Sequence, residues 1–319
     1  MRRILAAGSG IIALLALLLV GAYLLFPGIL FKLAVKAERL SAGLVKKEIQ
    51  VDDHRIAYLE GGKGETLLLI HGFGGSKDYW VRFAGSLTGE YRVVIPDLAG
   101  FGESSQIPAA SYGADAQLKR LDRFAETLKL ERFHLAGNSM GGMFAAMYGA
   151  KYPRKVSTVA LLAPGGVSSP NPSEAAILIL KGQNPLLTRS AEDFDLLLGL
   201  CFVKPPFIPA RIKPVLAAQA VAQAGFKQKI WDDLKWEPTR ETPSAIENAL
   251  LPYLPEIQAP VLIIWGDGDR ILDVGGVPVL EKNLKNYRTV IMKGAGHLPM
   301  LERPRETAEH YLGFLKGKK

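Results

Sequence analysis

From Ile4 to Phe31 no charged residue interrupts a run of mostly Leu, Ile, Ala, Val and Gly. From residue 48 onward, short apolar runs alternate with longer segments of helical period. The short runs are Thr66–Ile70, Arg92–Pro96, Phe133–Ala136, Val156–Leu162, Pro260–Trp265 and Asn286–Met292. Near-continuous apolar runs of this length, bounded by Gly and Pro, suit strands buried on both faces of a largely parallel sheet. Glu48–Val51 and Arg55–Glu60 alternate instead around Asp52-Asp53-His54, which predicts a hairpin stopped by Gly61-Gly62. Tyr112–Leu128 repeats Ala116, Leu118, Leu121, Phe124, Ala125 and Leu128 at helical spacing. Met140–Tyr152 is helix-forming, and Pro304–Leu315 opens with proline where a missing N–H costs nothing. The pattern predicts an α/β domain.

The alternation lapses between about residues 167 and 257. Helical stretches at Glu174–Leu180, Ala191–Leu200, Ile212–Ala224 and Ser244–Leu251 are punctuated by Pro205, Pro206, Pro209 and Pro214. This predicts a helical lid inserted over the strand ends, where such segments shape substrate access. Its apolar residues, among them Leu196–Leu200, Phe202, Phe207 and Ile208, suit either packing within the lid or the lining of an acyl pocket. The expected organisation is an anchor at 1–31, a linker at 32–47, a core in two parts at 48–166 and 258–319, and the lid at 167–257.

The uncharged run of 28 residues at Ile4–Phe31 exceeds the roughly 20 helical residues needed to cross a bilayer core. It also exceeds the apolar stretch of about 7–15 residues in a cleaved secretory signal. The expectation is a single-pass N-terminal transmembrane helix holding the protein at the cell membrane. Arg2 and Arg3 flank one side and Lys32, Lys36 and Arg39 the other, so the charge rule leaves the side of the catalytic domain open. Ile29–Val45 reads either as an amphipathic helix along the interface or as a solvated linker helix.

The formal charge of +8 belongs to the two ends of the chain. Arg2, Arg3, Lys32, Lys36, Arg39, Lys46 and Lys47 outnumber Glu38 and Glu48 at one end, and Lys316, Lys318 and Lys319 stand at the other. The body between is neutral, which argues against a nucleic-acid binder. Cys201 is the only cysteine, so an intramolecular disulfide and a cysteine-based zinc site are excluded.

Candidate chemistry centres on Phe133–Ala146, FHLAGNSMGGMFAA. A strand meets a Gly-rich turn and then a helix, placing Ser139 at the apex as a nucleophile elbow, beside the free N–H groups of a helix N-terminus. A neutral serine hydroxyl is a poor nucleophile, so an imidazole must take its proton and a carboxylate must hold that imidazole in one tautomer. Asp269 and His297 each follow the end of a predicted strand and can supply these groups. The loop His71-Gly72-Phe73-Gly74-Gly75 follows Thr66–Ile70 and can aim the N–H of Phe73 above Ser139, paired with the N–H of Met140 as oxyanion donors. His71 suits a structural hydrogen bond, and Asp97 a turn. Asp267 and Asp273 compete with Asp269 for the acid. His54, His134 and His310 read as surface or packing residues.

The stretches HGFGGSKDYW, DLAGFGES, GNSMGG, IIWGDGDRILDV and GHLPMLERP together resemble the α/β-hydrolase superfamily over residues 50–315. Within it the chain is most similar to membrane-anchored monoacylglycerol lipases and related bacterial lipases and esterases. The resemblance implies a mostly parallel eight-stranded sheet flanked by helices, and a Ser139, Asp269, His297 triad in the family's chain order. Asp269 is favoured over its rivals by the Gly-x-x-Asp spacing of the family's acid turn. Also implied is hydrolysis of monoacylglycerols or other lipid-like carboxylic esters through an acyl-enzyme, with no cofactor and no metal. Carbon–carbon bond hydrolases of aromatic-ring breakdown share the elbow but usually carry a proline in the oxyanion loop, where this chain has Gly74-Gly75. A non-catalytic membrane scaffold that retained the fold is the remaining alternative.

Overall fold

The computed structural model describes residues 20–235 and 248–317. Eight strands form one sheet: β1 (Leu44–Val51), β2 (His54–Gly61), β3 (Thr66–Ile70), β4 (Arg92–Pro96), β5 (Phe133–Asn138), β6 (Val156–Leu162), β7 (Val261–Gly266) and β8 (Tyr287–Met292). Their spatial order is β1-β2-β4-β3-β5-β6-β7-β8. The β1–β2 hairpin and the β2–β4 pair are antiparallel, and every other neighbouring pair is parallel. All five residues of β3 and all six of β5 and β7 are buried, as expected for strands covered on both faces. Side chains alternate across the pleat: Leu68 and Ile70 join one core, Leu67 and Leu69 the other. The first core is covered by α3 (Ala114–Thr127) and α4 (Met140–Lys151), the second by α2 (Val81–Ala84) and the closing helix Pro304–Leu315.

Between β6 and β7, the described residues hold four α-helices, α5 (Glu174–Leu180), α6 (Ala191–Cys201), α7 (Lys213–Ala222) and α8 (Ala224–Leu234), and a short 3-10 helix at Leu254–Glu256. The hydropathy pattern suggested one helix over Ile212–Ala224. Two are present, broken at Gln223, and α8 adds an amphipathic helix beyond the expected end. The helix expected over Ser244–Leu251 lies partly outside the described residues, and residues 248–251 form a turn or bend.

The N-terminal expectation is overturned. Among the described residues no helix is long and apolar enough to cross a membrane, so the single-pass anchor and the cell-membrane location inferred from it do not stand. Residues 1–19 of the expected anchor lie outside the described residues. The physical reason is visible in the remainder. Residues 20–25 are helical, but the helix is interrupted at Phe26 (φ −132°, ψ 50°), immediately before Pro27. Proline disfavours the α conformation in the residue preceding it. The chain restarts as α1 (Pro27–Ser41), a separate helix carrying Lys32, Lys36, Glu38 and Arg39. This helix is tied to the body: Arg39 donates to both carboxylate oxygens of Asp78 at 2.6 and 2.7 Å, and Arg82 donates to Glu38 at 2.6 Å.

Candidate active site

The carboxyl ends of β3, β5, β7 and β8 open on one edge of the sheet, the place where open α/β sheets receive ligands. At the end of β5 the chain turns through Ser139 into α4. Ser139 adopts φ 56°, ψ −120°, a region L-residues rarely enter and hold only where the surroundings over-determine it. The surroundings here do so. The Ser139 N–H donates to Leu162 O, and its carbonyl accepts from the N–H groups of Met143 and Gly165, each at 3.0 Å. A Cβ on Gly137 would lie 2.0 Å from Gly141 O, and one on Gly141 would lie 2.4 Å from Ile70 O. The two glycines therefore let α4 start directly against β5 and β3. Across residues 133–149 every position is buried except Ser139, which is half-buried.

His297 follows β8, and its ring Nδ1 lies 2.7 Å from Asp269 Oδ2. Facing a carboxylate, Nδ1 is the nitrogen suited to donate, which leaves Nε2 as the one suited to take a proton. Asp269 is fixed in turn: Oδ1 accepts from the N–H groups of Ile271 (2.8 Å) and Leu272 (2.9 Å), and Oδ2 also accepts from Trp265 Nε1 (3.1 Å). The histidine backbone is held at both ends. Its N–H donates to Cys201 O at 2.8 Å, and its carbonyl accepts from Asn138 Nδ2 at 3.0 Å. Asn138 precedes Ser139, so one amide links the elbow to the histidine loop.

The two rival carboxylates hold turns. Asp267 is exposed and accepts from the Gly294 N–H at 2.6 Å. Asp273 accepts from the Gly275 N–H at 2.9 Å and the Ser169 hydroxyl at 2.5 Å. Neither is bonded to His297, whereas Asp269 is.

The loop after β3 lies against the elbow: a Cβ on Gly72 would sit 3.0 Å from Ser139 Cβ. Gly75 N–H closes the loop on Gly72 O at 3.1 Å, with Gly74 at φ 71°. This carries Phe73, whose ring packs edge-on against Phe101 and Trp231, each at 5.6 Å. Met140 is the first residue of α4, so its N–H has no carbonyl four residues back within the helix. His71 is structural, as its position suggested. It is fully buried, its Nε2 accepts from the Leu98 N–H at 3.0 Å, and its Nδ1 faces Gly72 O at 2.7 Å. Burial holds its pKa below the ordinary value. Asp97 is likewise a turn residue, bonded to the N–H groups of Lys77 and Glu103, both at 2.7 Å.

Sequence reasoning did not single out Asn138, Trp265, Lys77 or Lys227. Asn138 and Trp265 sit in apolar strand runs, where only their polar atoms signalled a second task. Lys77 is fully buried and bonds Asp97 at 2.7 Å and Glu103 at 2.9 Å.

A helix-flanked, mostly parallel eight-stranded sheet with a strained serine turn at its carboxyl edge defines an α/β-hydrolase. The chain belongs to that family, whose fold matches residues 65–197 and 226–304. It is 44% identical to a membrane phospholipase A described as a novel bacterial virulence factor, covering 99% of each chain with a TM-score of 0.86. It is 35% identical to lipase 1 of Psychrobacter immobilis over 88% of this chain and 87% of that one. It is 30% identical to human monoacylglycerol lipase ABHD6 over 96% and 93%.

Proposed function

We propose that Ser139 is the nucleophile, His297 the general base and Asp269 the residue that orients it, in an enzyme cleaving lipid-like acyl esters such as monoacylglycerols. The chain is a carboxylic ester hydrolase by family and by relatives named as lipases over almost its whole length. The observation carrying the residue assignment is the buried 2.7 Å contact between His297 Nδ1 and Asp269 Oδ2, on the same sheet edge as the half-buried Ser139.

In this reading the acyl carbonyl sits with its oxygen toward the N–H groups of Phe73 and Met140. Ser139 attacks as His297 Nε2 takes its proton, and Asp269 stabilises the imidazolium. Collapse of the tetrahedral intermediate expels the alcohol, protonated by His297, and water repeats the sequence on the acyl-enzyme. Backbone donors of this kind contribute roughly 10²–10³ in rate each. Helices α5–α8 act as the lid, with Trp231 of α8 reaching the oxyanion loop through its contact with Phe73.

The test is hydrolysis of a chain-length series of acyl esters and monoacylglycerols by the full chain and by Ser139→Ala. Ester turnover that disappears in the variant supports the assignment, and the preferred length sizes the pocket. Turnover that survives in Ser139→Ala overturns it. A wild type that labels with a phosphonate at Ser139 yet cleaves no ester would move the reading to carbon–carbon bond substrates.

A further inference from the structure

Lys227 lies on α8 with 6% of its surface exposed. Its ammonium meets the oxyanion loop: a Cβ on Gly74 would be 3.5 Å from Nζ and 3.7 Å from Cε. One turn further along the same helix, Trp231 packs on Phe73. The face of α8 carrying Lys227 and Trp231 therefore covers the loop that would bind the developing oxyanion. Among the described residues no carboxylate pairs with this ammonium. The two on its own helix are engaged elsewhere, Asp232 by Gln228 at 2.8 Å, and Asp233 by Lys229 at 2.9 Å and the Tyr112 N–H at 2.8 Å.

A buried ammonium without a counter-charge costs stability and gives the fold nothing that a methionine of similar length would not. Burial alone pushes its pKa down to about 8, so it is still mostly protonated at neutral pH. A cation that no carboxylate among the described residues neutralises, beside the loop after β3, is poised to receive an anion that arrives with the substrate.

We propose that Lys227 is a specificity-determining residue, binding a negatively charged phosphate in the polar head of an acyl ester. The proposal rests on the ester-hydrolase reading above and deepens it. A neutral monoacylglycerol places only a hydroxyl near Nζ, whereas a lysophospholipid places a phosphate oxygen there.

The experiment compares a 1-acyl lysophosphatidic acid with a 1-monoacylglycerol of the same chain length, in neutral detergent micelles. The enzymes are the full chain, Lys227→Met and Lys227→Arg. The readout is the ratio of kcat/KM for the anionic over the neutral substrate. A charge-assisted hydrogen bond predicts a fall of about tenfold or more in that ratio for Lys227→Met, with Lys227→Arg retaining most of it. Thermal unfolding of Lys227→Met should match or exceed that of the wild type. A ratio unchanged in Lys227→Met overturns the proposal, as does a parallel loss on both substrates. A lowered melting temperature would make the ammonium structural and also overturns it.

Binding of the same lysolipid to Ser139→Ala, with and without Lys227→Met, reads the site without turnover. Weaker binding in the double variant supports Lys227 even if the wild type cleaves no ester, whereas equal binding overturns it. Inhibition by inorganic phosphate as strong as that by the lysolipid would mark a free-anion site and would sink the headgroup assignment.

Discussion

The core and the helical insertion each bury a lysine near the loop that follows β3, and the two are treated in opposite ways. Lys77, just after that loop, has its ammonium bonded to Asp97 and Glu103. The cluster extends through Glu103 to Lys46 and Arg39 of α1. Burial works against ionisation of Glu103, yet Lys46, Lys77 and Arg39 together hold its carboxyl down at about 2. Lys227, facing the loop from α8, has no described carboxylate, and burial depresses its pKa. A buried charge that is fully bonded orders the fold, whereas one with no carboxylate partner among the described residues carries a cost that an arriving anion would relieve. The contrast separates polar groups that build the site from one that addresses a ligand.

The comparison is broken most severely at Asp269, the most completely bonded carboxylate of the site. Asp269→Asn keeps the shape of the side chain but replaces an acceptor with an amide that cannot stabilise an imidazolium. The expected loss in kcat on an acyl ester is about 10⁴-fold, with the circular dichroism spectrum unchanged. A loss below tenfold would show that the contact with His297 is structural. Next in size is Asp97→Ala, which strands the Lys77 ammonium in the core. Removing one partner of a buried pair costs about 3–5 kcal/mol, here offset in part by Glu103. Urea unfolding measures it, and a loss under about 1 kcal/mol would erase the distinction between the two lysines.

Most of the sheet was legible in the chain because its central strands are buried on both faces, so that their apolar runs coincide with their limits. Thr66–Ile70, Arg92–Pro96 and Val156–Leu162 are strands over those residues. The edge was harder to read. β1 begins at Leu44, since an edge strand with Lys46, Lys47 and Glu48 facing solvent looks like a continuation of the charged segment before it. The pairing of Asp269 with His297 could be anticipated from residue type and position, because few residues can orient an imidazole. Trp265, Asn138 and Lys227 could not, because their importance lies in which atoms they meet across distant parts of the chain. The N-terminal run misled for a related reason. Hydropathy averages over a proline whose local effect is to split the helix.

A smaller effect tests whether the sheet side depends on histidines kept neutral. Burial lowers the pKa of His71, helped by Lys77 and opposed by Asp97 and the Gly72 carbonyl. His134 is lowered chiefly by burial as well. The unfolded chain then binds protons that the native state refuses. Stability from these groups is complete above the unfolded value of about 6.5 and is lost as pH falls from there toward the depressed folded values. The loss is at most about 1.4 kcal/mol per pH unit for each proton. Urea midpoints at pH 7.5 and 5.5 should show it, and His71→Asn should have a lower midpoint overall but a smaller difference between the two pH values. An undiminished difference would move the effect to other groups.

The smallest expected effect lies where the two regions meet. Cys201 closes α6 and is buried, and burial followed by the charge of Asp269 pushes its thiol pKa well up. A thiol so placed is neither nucleophile nor base. Its backbone matters more than its sulfur. The carbonyl takes the His297 N–H at 2.8 Å, and a Cβ on Gly296 would approach that same oxygen to 2.4 Å. Cys201→Ala, which keeps the carbonyl, should leave kcat/KM for a short acyl ester within about twofold and cost about 1 kcal/mol of stability. The native protein should resist iodoacetamide until it unfolds. Rapid labelling with loss of activity would mean that the end of α6 opens in the native state. The insertion would then control the position of His297 by moving.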